Sequence, residues 1–438
     1  MLSKKIITKY NRANTLAVVS SYPPQGTTYG DGVGGVASFA KNTITSLQQY
    51  NKQKIVVFAE ILNQPEIYEE GNVLVIRCWK RNSYKLYFQL MANITKFTQI
   101  KKYLIEFEFA LYGDFFVAGV FPLFLMWLRI WGKQVNLVVH QVITDLSSLS
   151  GHLGWDKKNW LTQFFSFGIR HFYKLLGLTA SRLVVLEKEF ERRFIKLGIA
   201  TQKITTISHG VDCKLRSINK ELARKQLGLP QRNKVVLVFG FLTWYKGTDL
   251  AVKALHQIYE QEPNSKISLV IAGGESVTQS GKKHYQRFIQ RLYRNAVKNP
   301  RVVITGFVKE KQLRSYFSAA DLVILPYRSF MSSSGVLSLA LSFAKPFILS
   351  TPLKEWFKNG EQEYMGQASF FRPDKYALAQ QILDTVINNK RMQNLENMSK
   401  LIKEQRNYQN IATKYDQLIN WGTIPVSHLN LATLPVKK

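Results

Sequence analysis

Short apolar runs rich in Val and Ile punctuate the chain, and between them lie longer segments whose apolar residues return at helical spacing. The first half carries "LAVVSSYP", "KIVVFAE", "NVLVIRCW", "YLIEFEF", "VNLVVHQV", "RLVVLEKEF" and "KITTISHG". The second half restarts at "KVVLVFGFL" and continues through "ISLVIAGG", "RVVITGFV", "ADLVILPY", "KPFILST" and "ASFFRP". Runs without polar alternation predict strands covered on both faces, as in a parallel sheet flanked by helices. Two such series predict an α/β protein of two doubly wound domains. The length of 438 residues agrees, because a single core stops growing near ~250–300 residues. The polar stretch between Val211 and Asn233, which includes Pro230, separates the two series.

In a doubly wound sheet, ligands bind beyond the carboxyl ends of the strands. Gly, Ser and His gather at those places. "SSYPPQGTTYGDGVGGVASF" follows the first run, and its last glycines, Gly34 and Gly35, can bring backbone N–H groups close to a ligand. The stretch is not a G-x-G-x-x-G, no acidic ribose partner follows about twenty residues on, and no G-x-x-x-x-G-K-[ST] occurs. These absences argue against a dinucleotide oxidoreductase and a P-loop ATPase. "SSSGVLSLAL", from Ser332, puts hydroxyl residues and a glycine at the mouth of an apolar helix, where unpaired N–H groups attract an anion.

Charge changes the picture. Lys and Arg number 60 against 29 Asp and Glu, a net +31, spread along the chain rather than gathered in a tail. Such a surface attracts polyanions. No helix-turn-helix or aromatic-basic signature supports nucleic acid, so no nucleic-acid partner is expected. An anionic membrane face fits better. The segment 82–104, "NSYKLYFQLMANITKFTQIKKYL", combines Tyr84, Leu86, Phe88, Leu90 and Met91 with lysines. It can lie on lipid or bury its stripe in a core. The longest apolar segment, Phe115 to Ile130, contains Pro122 and Arg129 and is short for a span of about 20 residues. It reads as a buried or interfacial helix. No convincing signal peptide opens the chain. Two cysteines, Cys78 and Cys213, offer no disulfide framework or zinc spacing. The expected location is cytoplasmic, peripheral on the inner membrane face.

Taken in order, "GGVASFAKN", "ISHGVD", "FGFLTWYKGTDLAVKAL", "LVIAGG", "TGFVKEKQLRSYFSAADLVILPY" and "SSSGVLSLALSFAKPFILST" resemble the retaining glycosyltransferases of family 4, which have the GT-B fold. The resemblance implies an N-terminal acceptor domain over 1–212 and a nucleotide-sugar domain over 213–400. It also implies a crossover helix and tail over 401–438, where "YQNIATKYDQLI" resembles the helix that returns to the first domain. It implies a hexose, mannose- or glucose-type, moved from a nucleotide diphosphate sugar to a glycan or lipid-linked acceptor with retention. No cofactor and no metal are expected.

Residue by residue, the resemblance assigns Lys246 to the donor phosphates and His140 to the donor sugar. It places the diphosphate at Ser333, Ser334, Gly335 and Val336. Gly34 and Gly35 stand near the phosphates and acceptor, Phe307 and Val308 where the base stacks, and Gly273 and Gly274 on the same rim. His209 reads as structural, and Asp145 as a loop cap. Three positions depart from the commonest pattern: Phe241 where many members have arginine, and Met331 and Leu339 where many have glutamates. A catalytically silent GT-B protein that binds nucleotide sugar or a partner is the alternative these departures raise.

Overall fold

The computed structural model describes residues 2–29, 34–155, 160–276 and 278–421. Residues 30–33 of the glycine-rich stretch and the tail from 422 lie outside the described residues. The first sheet contains β1 (Leu16–Ser20), β2 (Ile55–Glu60), β3 (Glu66–Glu70), β4 (Val73–Trp79), β5 (Lys102–Phe107), β6 (Gln134–Val139), β7 (Arg182–Val185) and β8 (Ile204–Thr206). Their order is β3-β4-β2-β1-β5-β6-β7-β8. The second contains β9 (Lys234–Phe239), β10 (Ile267–Ala272), β11 (Val302–Ile304), β12 (Leu322–Leu325), β13 (Phe347–Ser350) and β14 (Ser369–Phe371), in the order β11-β10-β9-β12-β13-β14.

Two doubly wound parallel sheets are what the pattern of apolar runs predicts, and each run named above contains one of these strands. The exception is β3, an antiparallel edge strand of sequence "EIYEE" that the pattern did not flag. Its residues are mostly exposed, so it has no apolar run to betray it. Acidic side chains on such an edge discourage pairing with another chain.

Each sheet reverses its winding once, between β1 and β5 and between β9 and β12. Crevices open at such points because the loops on either side run to opposite faces of the sheet. The chain crosses between domains twice. After β8 it passes through Val211 and Asp212, and the Asp212 N–H donates to Ser342 Oγ at 3.0 Å. After helix Asn389–Gln405 it returns: helix Tyr408–Asp416 buries Ile411, Ala412 and Tyr415 with Leu16, Val18 and Phe39 of the first domain. Arg406 fixes this second crossing by binding Glu361 through two nitrogens and stacking 3.7 Å from the Trp356 ring centre.

The segment 82–104 does not offer its stripe to lipid. Helix Lys85–Ile94 buries Leu86, Tyr87, Leu90 and Ile94 in the core, leaving Tyr84 and Phe88 exposed. Phe115 to Ile130 breaks into two helices, Phe115–Gly119 and Phe121–Ile130, with Pro122 in the first turn of the second. Proline is tolerated there because that N–H has no helical partner. No helix among the described residues is long and apolar enough to cross a membrane.

Candidate active site

The cleft is built from loops at and beside the two switch points. From the first domain comes His140, directly after β6, with its Nε2 2.7 Å from Glu106 Oε2 of β5. The ring meets Phe39 edge-on, with centroids 4.9 Å apart. Glu106 is fully buried and its other oxygen has no partner among the described residues. Burial pushes its carboxyl up, and the hydrogen bond from His140 works against that shift. The pair thus fixes the imidazole orientation, as a buried carboxylate does for a working histidine. Glu108, two residues on, is also raised by burial and feels the opposing charges of His140, Arg81 and Lys246.

From the second domain comes Lys246, in the turn Trp244–Lys246 after β9. Gly247 follows with φ +69°, and any side chain on it would collide with the Pro326 carbonyl. Arg328 staples this turn. It donates to the Trp244 carbonyl at 2.6 Å, stacks 4.9 Å from the Trp244 ring and grips Asp249 through both terminal nitrogens. The Lys246 ammonium makes no hydrogen bond or ion pair among the described residues. Burial pushes its pKa down to about 8, with Glu108 pulling the other way. A half-buried cation without a partner is poised for an incoming anion.

Helix Gly335–Ser342 follows β12 and points its N-terminus at the same place. Ser334 caps it in the left-handed region, φ 52°, and accepts from the Leu337 N–H at 3.3 Å. Its hydroxyl also lies 3.1 Å from the Tyr327 hydroxyl. The Ser333 hydroxyl donates to Glu187 of the first domain. Both hydroxyls are therefore engaged within the protein, which differs from their expected role as free donors. What remains open are the backbone N–H groups of Gly335 and Val336, which have no partner among the described residues. Gly335 is exposed, and a Cβ there would meet nothing.

Gly240 joins the pieces. A Cβ on it would stand 2.9 Å from Lys246 Nζ and 3.2 Å from Val336 Cγ2. Lysine and helix N-terminus therefore converge on one point. Gly273 and Gly274 pack close behind: a side chain on Gly273 would strike the Gly240 carbonyl, and one on Gly274 would lie 2.9 Å from the Phe307 N–H. Phe307 is half exposed on this rim and tilts against Phe241, 6.3 Å between centroids. Val308 is half-buried beside it. Across the cleft, Gly34 caps helix Gly35–Asn51, and Gly35 is open to solvent, so a second helix N-terminus faces the gap.

Contacts between the domains hold these groups together. The Thr28 N–H donates to Glu310 at 3.1 Å. Gly151 packs flat on Trp244, His152 meets Tyr245 edge-on at 5.3 Å, and His284 bonds the His152 carbonyl at 3.0 Å. His209 shares 2.8 Å hydrogen bonds with Ser338 and the Gly210 carbonyl, and burial lowers its pKa to about 4, so it acts as a neutral joint between domains. Asp145 accepts from the Ser147 N–H and hydroxyl, closing its own loop.

Glu106, Glu108, Glu187, Gly240 and Arg328 escaped the reading of the sequence. Glu106 and Glu108 had a signal: carboxylates inside "YLIEFEF", where a buried strand should carry none. Arg328 and Glu187 had none, since each matters only through a distant partner.

Two such domains, with a lysine, a carboxylate-held histidine and open helix N-termini meeting in one cleft, define a GT-B protein. Residues 219–407 match the model of the family Glycosyl transferases group 1. The second domain is thus similar to members of that family. Over 140 residues the chain is 30% identical to a D-inositol 3-phosphate glycosyltransferase of Corynebacterium aurimucosum, a match covering 31% of this chain and 32% of that protein. The chain thus spans about a third of the length of the curated relatives it matches. The sucrose-phosphate synthase of Thermosynechococcus elongatus has a similar fold, with TM-score 0.68, 18% identity, and coverage of 92% of this chain and 98% of that one. Anabaena HepE, solved in complex with UDP-glucose, superposes with TM-score 0.61 at 16% identity, covering 93% of this chain and 99% of that one.

Proposed function

We propose that the chain is a retaining glycosyltransferase that moves a mannose- or glucose-type hexose from a nucleotide diphosphate sugar to a glycan or lipid-linked acceptor. The observation that carries this reading is the meeting, at Gly240, of the unpartnered Lys246 ammonium with the helix that presents the free N–H groups of Gly335 and Val336. As the sugar leaves, charge accumulates on the diphosphate, and donors already in place stabilise it without reorganising. The same positive groups supply the neutralisation that a metal would, so the reaction is read as metal-independent. Nucleotide binding finds support in HepE, whose complexes contain UDP and UDP-glucose. Phe307 and Val308 offer the base an apolar ledge. His140, oriented by Glu106, is read as the residue that approaches the donor sugar. The basic surface supports work at the anionic face of a membrane, as a peripheral protein.

A thermal-shift screen against UDP-, GDP- and ADP-sugars tests donor binding, and transfer with EDTA present tests the metal. Stabilisation by one nucleotide class is expected, about 2.7 kcal/mol at a hundred times Kd. No shift with any sugar nucleotide would defeat the reading. Binding with neither transfer nor donor hydrolysis would leave the silent alternative, which the apolar Met331 and Leu339 favour; both are half-buried against the core.

A further inference from the structure

We propose that the outer face of two neighbouring helices in the first domain, Phe121–Ile130 and Trp160–Thr179, is the surface that seats on an anionic lipid bilayer. The inference deepens the reading of a peripheral enzyme with a lipid-linked acceptor and rests on it. Helix Trp160–Thr179 carries two apolar stripes. One, with Ile169, Phe172, Tyr173 and Leu176, is buried in the core. The other, Trp160, Phe164, Phe167, Leu175 and Leu178, repeats at intervals of four, three, eight and three and is exposed along its whole length. Helix Phe121–Ile130 repeats the design. Phe121, Phe124, Leu125 and Leu128 face inward, while Leu123, Met126 and Ile130 face out, with Ile130 76% exposed.

The helices run side by side in the same direction. Phe115, in the short helix that leads into the first, meets Phe165 near the start of the second, and Arg129 at the end of the first binds Ser181 just past the end of the second. Their outer stripes therefore lie next to each other. Single exposed apolar residues need no explanation, but a contiguous patch of this kind marks a surface that is covered in use. Neither helix carries an acidic residue, and Arg129, Arg170 and Lys174 are exposed among the apolar positions. Exposed Trp131 and Trp160 suit the boundary between headgroups and chains. A second copy of a chain with net charge +31 would bring like charges together, whereas anionic headgroups complement them.

The position also fits. On its buried side, helix Trp160–Thr179 holds the loop that follows His140: the Tyr173 hydroxyl donates to the Gln141 carbonyl at 2.9 Å, and Ser166 accepts from the Leu146 N–H at 3.1 Å. A bilayer on the outer stripes is thus one helix thickness from the catalytic loop, within reach of an acceptor hydroxyl at headgroup level.

Sedimentation of the full chain with vesicles of phosphatidylcholine alone, or with added phosphatidylglycerol, tests the assignment. Wild type should bind the anionic vesicles and keep part of that binding in high salt. Leu123→Glu with Phe164→Glu should weaken vesicle binding by about tenfold or more, with unchanged melting temperature and unchanged thermal shift by the sugar nucleotide. Arg170→Ala with Lys174→Ala should weaken it less and reduce its salt dependence. Binding that the first pair leaves intact, or that salt abolishes entirely, would overturn the proposal. So would a wild-type dimer that the first pair dissociates while vesicles are ignored. The nucleotide shift, read in the same samples, separates failure of the docking face from failure of the donor site.

Discussion

Helix Trp160–Thr179 of the first domain and helix Lys283–Ala296 of the second bury similar stripes and differ in what they show to water. The second buries Tyr285, Phe288, Ile289 and Leu292, and its outward positions hold Lys283, Gln286, Arg287, Gln290, Arg291 and Arg294, with Tyr293 the one large aromatic among them. That is the ordinary division of a helix covering a sheet: one apolar stripe inward, charge outward. The first shows Trp160, Phe164, Phe167, Leu175 and Leu178 instead. Burying one stripe is enough to hold either helix on its sheet. The outward apolar stripe therefore contributes nothing to the isolated fold and costs solubility. On the proposed reading the two domains divide the work: one would hold the charged groups for a donor, and the other would offer a face to a partner.

The division can be broken from the donor side first. Lys246→Ala should lower turnover by about two to three orders of magnitude, the loss typical of removing a group that stabilises developing charge. Vesicle binding should persist, which steady-state kinetics and sedimentation on the same variant would show. Within the first domain, Leu176→Ala should cost about 2–5 kcal/mol, because it opens a cavity in a packed core. Leu178→Ala, two residues on but outside, should stay within about 0.5 kcal/mol. Denaturant unfolding of both variants checks the pair, and equal costs would mean the outer stripe is packed after all.

A subtler break concerns the helix N-terminus. A methyl at Gly335 meets no protein atom but fills the approach to the free N–H groups. Gly335→Ala should leave the melting temperature alone and weaken nucleotide binding by about tenfold, the loss of one charge-assisted hydrogen bond. The smallest effect follows pH. Burial lowers the Lys246 pKa to about 8, so nucleotide affinity should fall as pH rises from 7 to 9. The unfolded chain keeps that proton until pH ~10.4. Between these values it holds more protons than the folded chain, so this group makes stability rise with pH. Melting curves of wild type against Lys246→Met across pH 7–10 would show the difference.

Much of this architecture was legible because parallel strands are buried on both faces and leave unbroken apolar runs. β3 was not, since a mostly exposed edge strand with three glutamates in five residues has no such run. Segment 82–104 shows the other limit. Its apolar residues, Leu86 and Leu90 among them, were visible, but a stripe does not say whether core or lipid receives it, and here the core takes those two. The candidate site divides the same way. Lys246, His140 and the turn before Gly335 follow strands that periodicity locates, and the family resemblance singled them out. The Glu187 carboxylate that takes up the Ser333 hydroxyl comes from 146 residues away, and nothing local marks it.

What the sequence determined alone were quantities set by neighbours along the chain: two series of buried strands, the polar crossing between them, and the glycines and hydroxyls that cap helices. Tertiary structure alone decided which stripe faces outward, which hydroxyl is already spent, and that Lys246 stands beside Val336, unpaired among the described residues. Those outcomes depend on contacts between residues far apart in sequence, and such contacts exist only once the two sheets have packed and the last helix has crossed back.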